Sequence, residues 1–407
     1  MASLVVGAAR VAQGLMRARG GTVRVPCGAR GVENFVSSPT LTQLDQYCER
    51  VCHVPRVPPQ KVTVIGAGSP VGRIACLFLK QQPLIKVLSM FDYDEENNVI
   101  GEAQDIAHID TSTRVEAYQG IGTLMDAVCD ADVVVIMGGP GGGPGMACER
   151  QLFLQNMAHV HAATRAAAER APHAVLAVQT PPLDCNFALV MHTLKLLKKY
   201  DARRVLGVNA ISAMRANQLL ASITGSEPGA GAVPVVGGGC RCTRVPVFAS
   251  KAAGIPRKQL EHMSELVRGA DDIICRVKGR REEACLSTGF ATARFVTNIV
   301  QGLFSRPTTI DSALVEQASP ESCYGLAVCA TPVTVGAAGV QQYMVPALSE
   351  AEKALLESSK CDLKDLLSLG RCHATGEPYR PPHCRYQPTS LAMAGLCPDC
   401  LRAHAVV

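Results

Sequence analysis

Between Lys61 and Asp92 the chain reads as a β-branched run, a glycine turn, a helix-length stretch and a second apolar run, and this order limits the possible folds more than any other feature. Lys61–Ile65 is the first run, Gly66-Ala67-Gly68-Ser69-Pro70-Val71-Gly72 opens a helical stretch to Lys80, and residues 87–91 lead into Asp92. A strand that turns on glycines into a helix and returns as a strand belongs in a parallel sheet covered on both faces. Apolar runs at 132–137, 174–178 and Val205–Val208, spaced by helix-length segments, extend the alternation. Residues 59–208 are therefore expected to form an α/β unit with a doubly wound parallel sheet. From Asn209 the pattern changes to long helices at 213–224, Arg257–Val277 and 291–304, with shorter strands between them and a last helix at 349–369. That predicts a second, mixed α/β domain over 209–370. Residues 1–58 form a leader, and 371–407 are a Cys, His and Pro-rich tail without periodicity.

At 407 residues the chain exceeds what one hydrophobic core usually organises, consistent with two folded units. With 47% hydrophobic and 18% charged residues it can bury a large core, yet no uninterrupted apolar run reaches the roughly 18 residues of a membrane-spanning helix. The net charge of +5 is concentrated at the start: residues 1–60 hold seven Arg against three acidic residues. The nearly neutral remainder argues against a nucleic-acid or anionic-membrane partner. Arg10, Arg17, Arg19, Arg24 and Arg30 all precede the first acidic residue, Glu33, while Leu4, Val11 and Leu15 recur at helical spacing. This basic amphipathic leader reads as a mitochondrial transit peptide, with a basic leader of no such role as the alternative. The 18 Cys are scattered singly (Cys76, Cys129, Cys185, Cys275, Cys285 among them), as buried free thiols of a reducing compartment would be.

A glycine turn between strand and helix lets backbone N–H groups and the positive helix end meet a pyrophosphate. Here Gly66, Gly68 and Gly72 supply the turn. Asp92 closes the second strand 26 positions after Gly66, where a carboxylate accepts from ribose hydroxyls and repels a 2′-phosphate, favouring NAD over NADP. The alternative is a turn kept for structure alone. Pro70 removes one N–H that would face phosphate.

The stretches VTVIGAGSPVG (62–72), LKQQPLIKVLSMFD (79–92), DIAHID (105–110), DADVVVIMGG (130–139), PGM (144–146), RRVLGVNAISAMRAN (203–217), VPVVGGG (233–239), CLSTGFATARF (285–295) and ATPVTVGAAGV (330–340) resemble, in order and spacing, the malate dehydrogenases of the mitochondrial/bacterial type. The resemblance spans about residues 60–370. It implies a Rossmann domain followed by a mixed α/β substrate domain, a homodimer or homotetramer, and hydride exchange between NAD and malate or oxaloacetate, the small 2-hydroxy and 2-oxo acids such a site would take if active. In that family a His acts as base and an Asp orients it; the matching positions here are Gly239 and Ser212. No His lies between His192 and His262 and no Asp between Asp201 and Asp271, so a shifted alignment does not recover the pair. Of three substrate-binding Arg, Arg215 matches one. The loop positions fall at Gly142 and near Cys148-Glu149, with Arg150 displaced by one or two. Asn156 matches a family Asn near the cofactor, and the family's Asn-Pro turn reads Thr180-Pro181-Pro182. His108 matches a His far from the hydride site and reads as structural.

A general base contributes ~10²–10⁴ in rate, so ordinary malate turnover is not expected. Three functions fit: an NAD-binding or structural homologue with impaired chemistry, an active dehydrogenase of altered specificity using Cys240, Arg241, Cys242, Arg244 or Asp184, and an interaction platform built on the tail. For the last, Cys397, Cys400 and His404 have the spacing of a zinc knuckle, with Cys372, His373, His383 and Cys384 as a second source of ligands.

Overall fold

A computed structural model describes residues 60–139, 149–228, 232–252, 254–279 and 284–381. The leader, and with it the transit-peptide expectation, lies outside them, as do Gly142, Cys148, Cys397, Cys400 and His404. The compact unit that begins at Pro58 runs β1 (Lys61–Ile65), α1 (Pro70–Leu79), β2 (Val87–Asp92), α2 (Val99–Ala107), β3 (Arg114–Gln119), α3 (Leu124–Val128), β4 (Val133–Ile136), α4 (Glu149–Arg170), β5 (Val175–Val178), α5 (Leu183–Leu196) and β6 (Val205–Val208). It continues with α6 (Ala210–Thr224), β7 (Val235–Gly237), β8 (Arg244–Pro246), α7 (Arg257–Val277), α8 (Cys285–Phe304), β9 (Thr308–Glu316), β10 (Val328–Gly336), β11 (Gly339–Tyr343) and α9 (Glu350–Thr375).

Six strands pair in parallel in the order β3-β2-β1-β4-β5-β6. The sheet then continues through antiparallel β9, β10, β7 and β8, with β11 on β10. This is the expected Rossmann sheet followed by a mixed α/β half. The two halves share one sheet through the β6–β9 pairing. Alternation along the strands explains its two cores. Val62, Val64, Val133 and Val135 face α1, α2 and α8, whereas Ile65, Val134 and Ile136 face α3, α4 and α5. Both faces are covered, so these strands read as unbroken apolar runs.

Two boundaries differ from the sequence reading. β3 carries no apolar run because it lies at the sheet's edge, with Arg114 exposed and the rest half-buried. The last helix does not stop at Gly370. It starts on a capping box between Ser349 and Glu352 and continues to Thr375, where Gly376 closes it at φ 74°. Gly370 serves packing instead: a Cβ there would lie 2.0 Å from Cys185 O, so its absence lets α9 press onto α5. Cys372 and His373, read above as tail ligands, therefore belong to a helix. Cys372 is buried, and His373 Nδ1 bonds Leu369 O while its ring packs edge-on against Phe153 at 5.1 Å.

Cys76, Cys185 and Cys285 are buried free thiols, whereas Cys129 and Cys275 are partly exposed. Cys361 is disulfide-bonded, a departure from the all-free expectation.

Candidate active site

In a doubly wound sheet ligands bind beyond the carboxyl ends of the strands, where the strand order reverses. Here that point lies between β1 and β4, and the ends of β1, β2, β4, β5 and β6 carry Gly66, Asp92, Met137, Thr180 and Asn209.

The turn after β1 requires its glycines. Gly66 sits at φ +85°, where a Cβ would come 2.0 Å from Met137 O; a Cβ on Gly72 would come 2.1 Å from Gly66 O. Asp92 is buried, with Oδ2 accepting from Gly68 N at 2.9 Å and Oδ1 from Asp94 N at 3.0 Å and Asn97 Nδ2 at 3.2 Å. Two carboxylate oxygens offer about four acceptor positions, so capacity remains for a ribose hydroxyl. The pyrophosphate end is less open. Gly66 N and Ala67 N donate to Phe91 O, Ser69 N to Gly66 O, and Gly72 N to Ser69 Oγ at 3.1 Å. Pro70 has no N–H to offer, and Val71 N, in the first turn of α1, makes no hydrogen bond among the described residues. The residues thus fit a dinucleotide, most fully at its adenosine ribose.

The second glycine turn, Gly237–Gly239 after β7, closes on the protein itself. Asp184, in the first turn of α5, is fully buried. It accepts from Gly239 N (2.7 Å), Cys240 N (3.3 Å) and Thr243 Oγ1 (2.6 Å). A Cβ on Gly239 would lie 2.3 Å from Leu183 Cδ2 and 3.0 Å from its Cγ, so a leucine fills the space a side chain at 239 would need. Ser212 is buried and donates to Asn209 Oδ1 at 2.8 Å; Asn209 in turn donates to Ser312 Oγ. Positions 239 and 212 are thus held by neutral packing and hydrogen bonds. The buried histidine among the described residues, His159, bonds Met137 O at 3.1 Å and packs on Tyr93 at 4.8 Å. Burial drives its pKa down to about 4, so it is neutral.

Glu149, the first residue of α4, meets this cluster from the other side. Burial pushes its carboxyl up to about 7, with the Asp184 charge adding to the shift and Arg244 opposing it; the Cys240 thiol hydrogen-bonds to it. The thiols of Cys185, Cys240 and Cys242 are pushed well up, first by burial and then by these carboxylates, so none is a ready nucleophile.

The other expected site residues scatter. Arg215, on α6, gives Nη2 to Asp271 Oδ1 at 2.6 Å, while its Nε and Nη1 are buried without a partner among the described residues. Arg244 Nη1 reaches Asp271 Oδ2 at 3.5 Å. Crowding by the surrounding side chains desolvates the Asp271 carboxyl in part, which would raise it, but Arg244 and Arg215 overcome this and hold it down to about 2. Arg241 pairs with Asp272 instead. Arg150, expected at substrate, lies over the Tyr379 ring at 4.9 Å, because the first turn of α4 aims it at the end of α9. Asn156, expected at cofactor, is fully buried and donates to Pro181 O at 2.7 Å, fixing the turn after β5. Next to that turn Thr180 Oγ1 is buried and unpartnered among the described residues. His108 ends α2 at the surface. No group of three or more His, Cys, Asp or Glu among the described residues is arranged to hold a metal. Sequence reasoning missed Asp271, Glu149 and Leu183; nothing in spacing links Asp271 to Arg215, 56 positions away.

The lactate/malate dehydrogenase NAD-binding domain family model matches residues 60–207, and the lactate/malate dehydrogenase α/β C-terminal domain model matches 211–372. Human mitochondrial malate dehydrogenase is 28% identical over 313 residues, 76% of this chain and 90% of the relative. The Caenorhabditis elegans mitochondrial malate dehydrogenase is 29% identical over 319 residues, 78% and 91%. The apo malate dehydrogenase of Picrophilus torridus superposes with a TM-score of 0.67 at 19% identity, covering 78% of this chain and 99% of that one. A Cryptosporidium parvum lactate dehydrogenase, solved with lactic acid and nicotinamide adenine dinucleotide, superposes at 0.66 and 19%, covering 77% and 98%.

Proposed function

Because the chain belongs to the lactate/malate dehydrogenase family, we propose that it is a mitochondrial, malate-dehydrogenase-like protein that binds NAD and in which malate/oxaloacetate oxidoreduction is impaired or lost. One observation carries this reading: the positions of the base and its orienting acid are Gly239 and Ser212, and Leu183 packs where an imidazole would stand. Bound NAD would supply hydride exchange at its nicotinamide ring. Gly66, Gly68 and Gly72 would let the backbone approach it, Asp92 would accept from its ribose, and Val71 N would face phosphate. No described residue on β7 or α6 is placed to take a hydroxyl proton, so the ~10²–10⁴ supplied by a general base is forgone. The basic leader and the mitochondrial relatives support the matrix as its compartment. Exposed Leu77, Ile100, Leu286 and Phe290 on α1, α2 and α8 support a homodimer.

The test is a paired measurement on the purified full chain: NADH binding by fluorescence titration and oxaloacetate reduction by NADH absorbance. Saturable NADH binding with reduction at least ~10²-fold below an ordinary dehydrogenase rate is expected. Turnover at a rate of ~10 s⁻¹ or above overturns the reading.

A second reading, an active dehydrogenase of altered 2-oxo acid specificity, is favoured by Glu149, a carboxyl titrating near neutrality beside Asp184 and Cys240. A screen of 2-oxo acids with NADH decides: a substrate whose pH profile inflects near 7 and loses that inflection in Glu149→Gln supports it.

A further inference from the structure

Three guanidinium groups, Arg215, Arg244 and Arg241, converge on one stretch of α7, and each meets Asp271 or Asp272. The Arg215–Asp271 contact is the informative one. A guanidinium fork that holds a carboxylate with two parallel N–H donors is the geometry by which a site of this kind takes an acid substrate. In this chain Arg215 has spent Nη2 on Asp271 at 2.6 Å, while Nε and Nη1 remain buried and unpartnered among the described residues. Leaving buried donors unmade is costly, so the arrangement is that of a fork half-filled by an internal acid. Asp271 is also held by Arg244, whose side chain is 8% exposed, and its own side chain is half open to solvent. Its partner Arg215 is largely buried, so the pair joins a half-exposed acid to a buried guanidinium.

We propose that Asp271 is a specificity-determining residue that stands in for a substrate carboxylate: by occupying the Arg215 fork it turns small 2-oxo and 2-hydroxy acids away. This rests on the reading of Arg215 as the family's surviving substrate arginine. Removing the Asp271 carboxylate frees Nη2 of Arg215, next to the Nε and Nη1 that already lack partners among the described residues, and leaves Arg244 nearby. The variant should then bind a small dicarboxylate that the unaltered chain refuses.

Isothermal titration of the purified full chain with oxalate, with and without NADH, tests this. Asp271→Asn and, as a variant that cannot hydrogen-bond at all, Asp271→Ala are each expected to bind oxalate at least tenfold more tightly than the unaltered chain. Adding Arg215→Gln to either should abolish the gain, and Asp272→Asn, which touches Arg241, should not produce it. A thermal melt of each variant shows that it is folded. The proposal is overturned if the unaltered chain binds oxalate as tightly as the folded Asp271 variants, or if the gain survives Arg215→Gln. Failure of NADH to bind in any of these proteins overturns the cofactor reading alone, because the oxalate titration without NADH still reads the fork.

Discussion

The two glycine turns of this chain use the same device and end in opposite states. At Gly68 a backbone N–H donates to Asp92; at Gly239 one donates to Asp184. In the first turn the carboxylate sits at the end of β2 and draws its three donors from Gly68 on one side and Asp94 and Asn97 on the other. In the second the carboxylate is fully buried, takes three donors from a single loop, and Leu183 fills the remaining space. The comparison separates a carboxylate that ties a strand end to its neighbouring turns from one enclosed by a single loop and a leucine. Under the proposed function, the first turn would serve the cofactor and the second would leave no room for an imidazole at position 239.

The comparison is most exposed at Asp184. Asp184→Ala strands Gly239 N and takes one of two partners from Cys240 N and from the Thr243 hydroxyl in a buried loop, and is expected to lower unfolding free energy by about 2–4 kcal/mol in urea titration. A neutral result would mean that the second turn is not organised by that carboxylate. Next comes Gly66→Ala, which forces a Cβ into Met137 O at a positive φ. A loss of about 2–3 kcal/mol together with loss of NADH binding is expected, whereas Asp184→Ala should leave NADH affinity within a few-fold of the unaltered chain if the two turns act separately. Gly239→Ala should cost about 1–2 kcal/mol by pushing Leu183 out of place, and pairing it with Leu183→Ala should recover less than the full cavity cost permits, a coupling read from the double-mutant cycle.

The smallest effect is on pH dependence. Burial has raised the Glu149 carboxyl from an ordinary 4.5 to about 7. An acid with a raised folded-state pKa contributes fully only below its unfolded value and loses that contribution as pH rises through the folded one. Glu149→Gln should therefore match the unaltered chain near pH 4.5 and become more stable than it above pH 7; the full shift is worth about 3 kcal/mol, and the partial exposure of Glu149 brings the expected gain to about 1–2 kcal/mol. Equal slopes in the two proteins would place Glu149 in water rather than in the cluster.

Much of this was legible from the residues. The parallel strands announced themselves as apolar runs because both faces of the sheet are covered. Arg257–Val277 carried its helix in its periodicity, and Gly239 and Ser212 could be picked out from an ordered set of motifs. β3 was not legible, since an edge strand has no buried face to mark it. Nor was the continuation of α9 past Gly370, because that glycine breaks a helix by propensity and yet is required where α9 meets α5. Nor could the sequence show that Arg150 lies over Tyr379 and that Asn156 donates to Pro181 O, since both contacts join α4 to distant parts of the chain.

By itself the sequence determined the order of strands and helices, the glycine turn and acid at the strand ends, and which residue types occupy positions 239, 212 and 215, since all of these are properties of residue type and spacing. Only the tertiary structure decided what meets them: Leu183 beside Gly239, Asp184 within the second turn, and Asp271 on Arg215. Those pairs join residues 55 or 56 positions apart, brought together by packing and charge across separate elements, and no local periodicity records such a meeting.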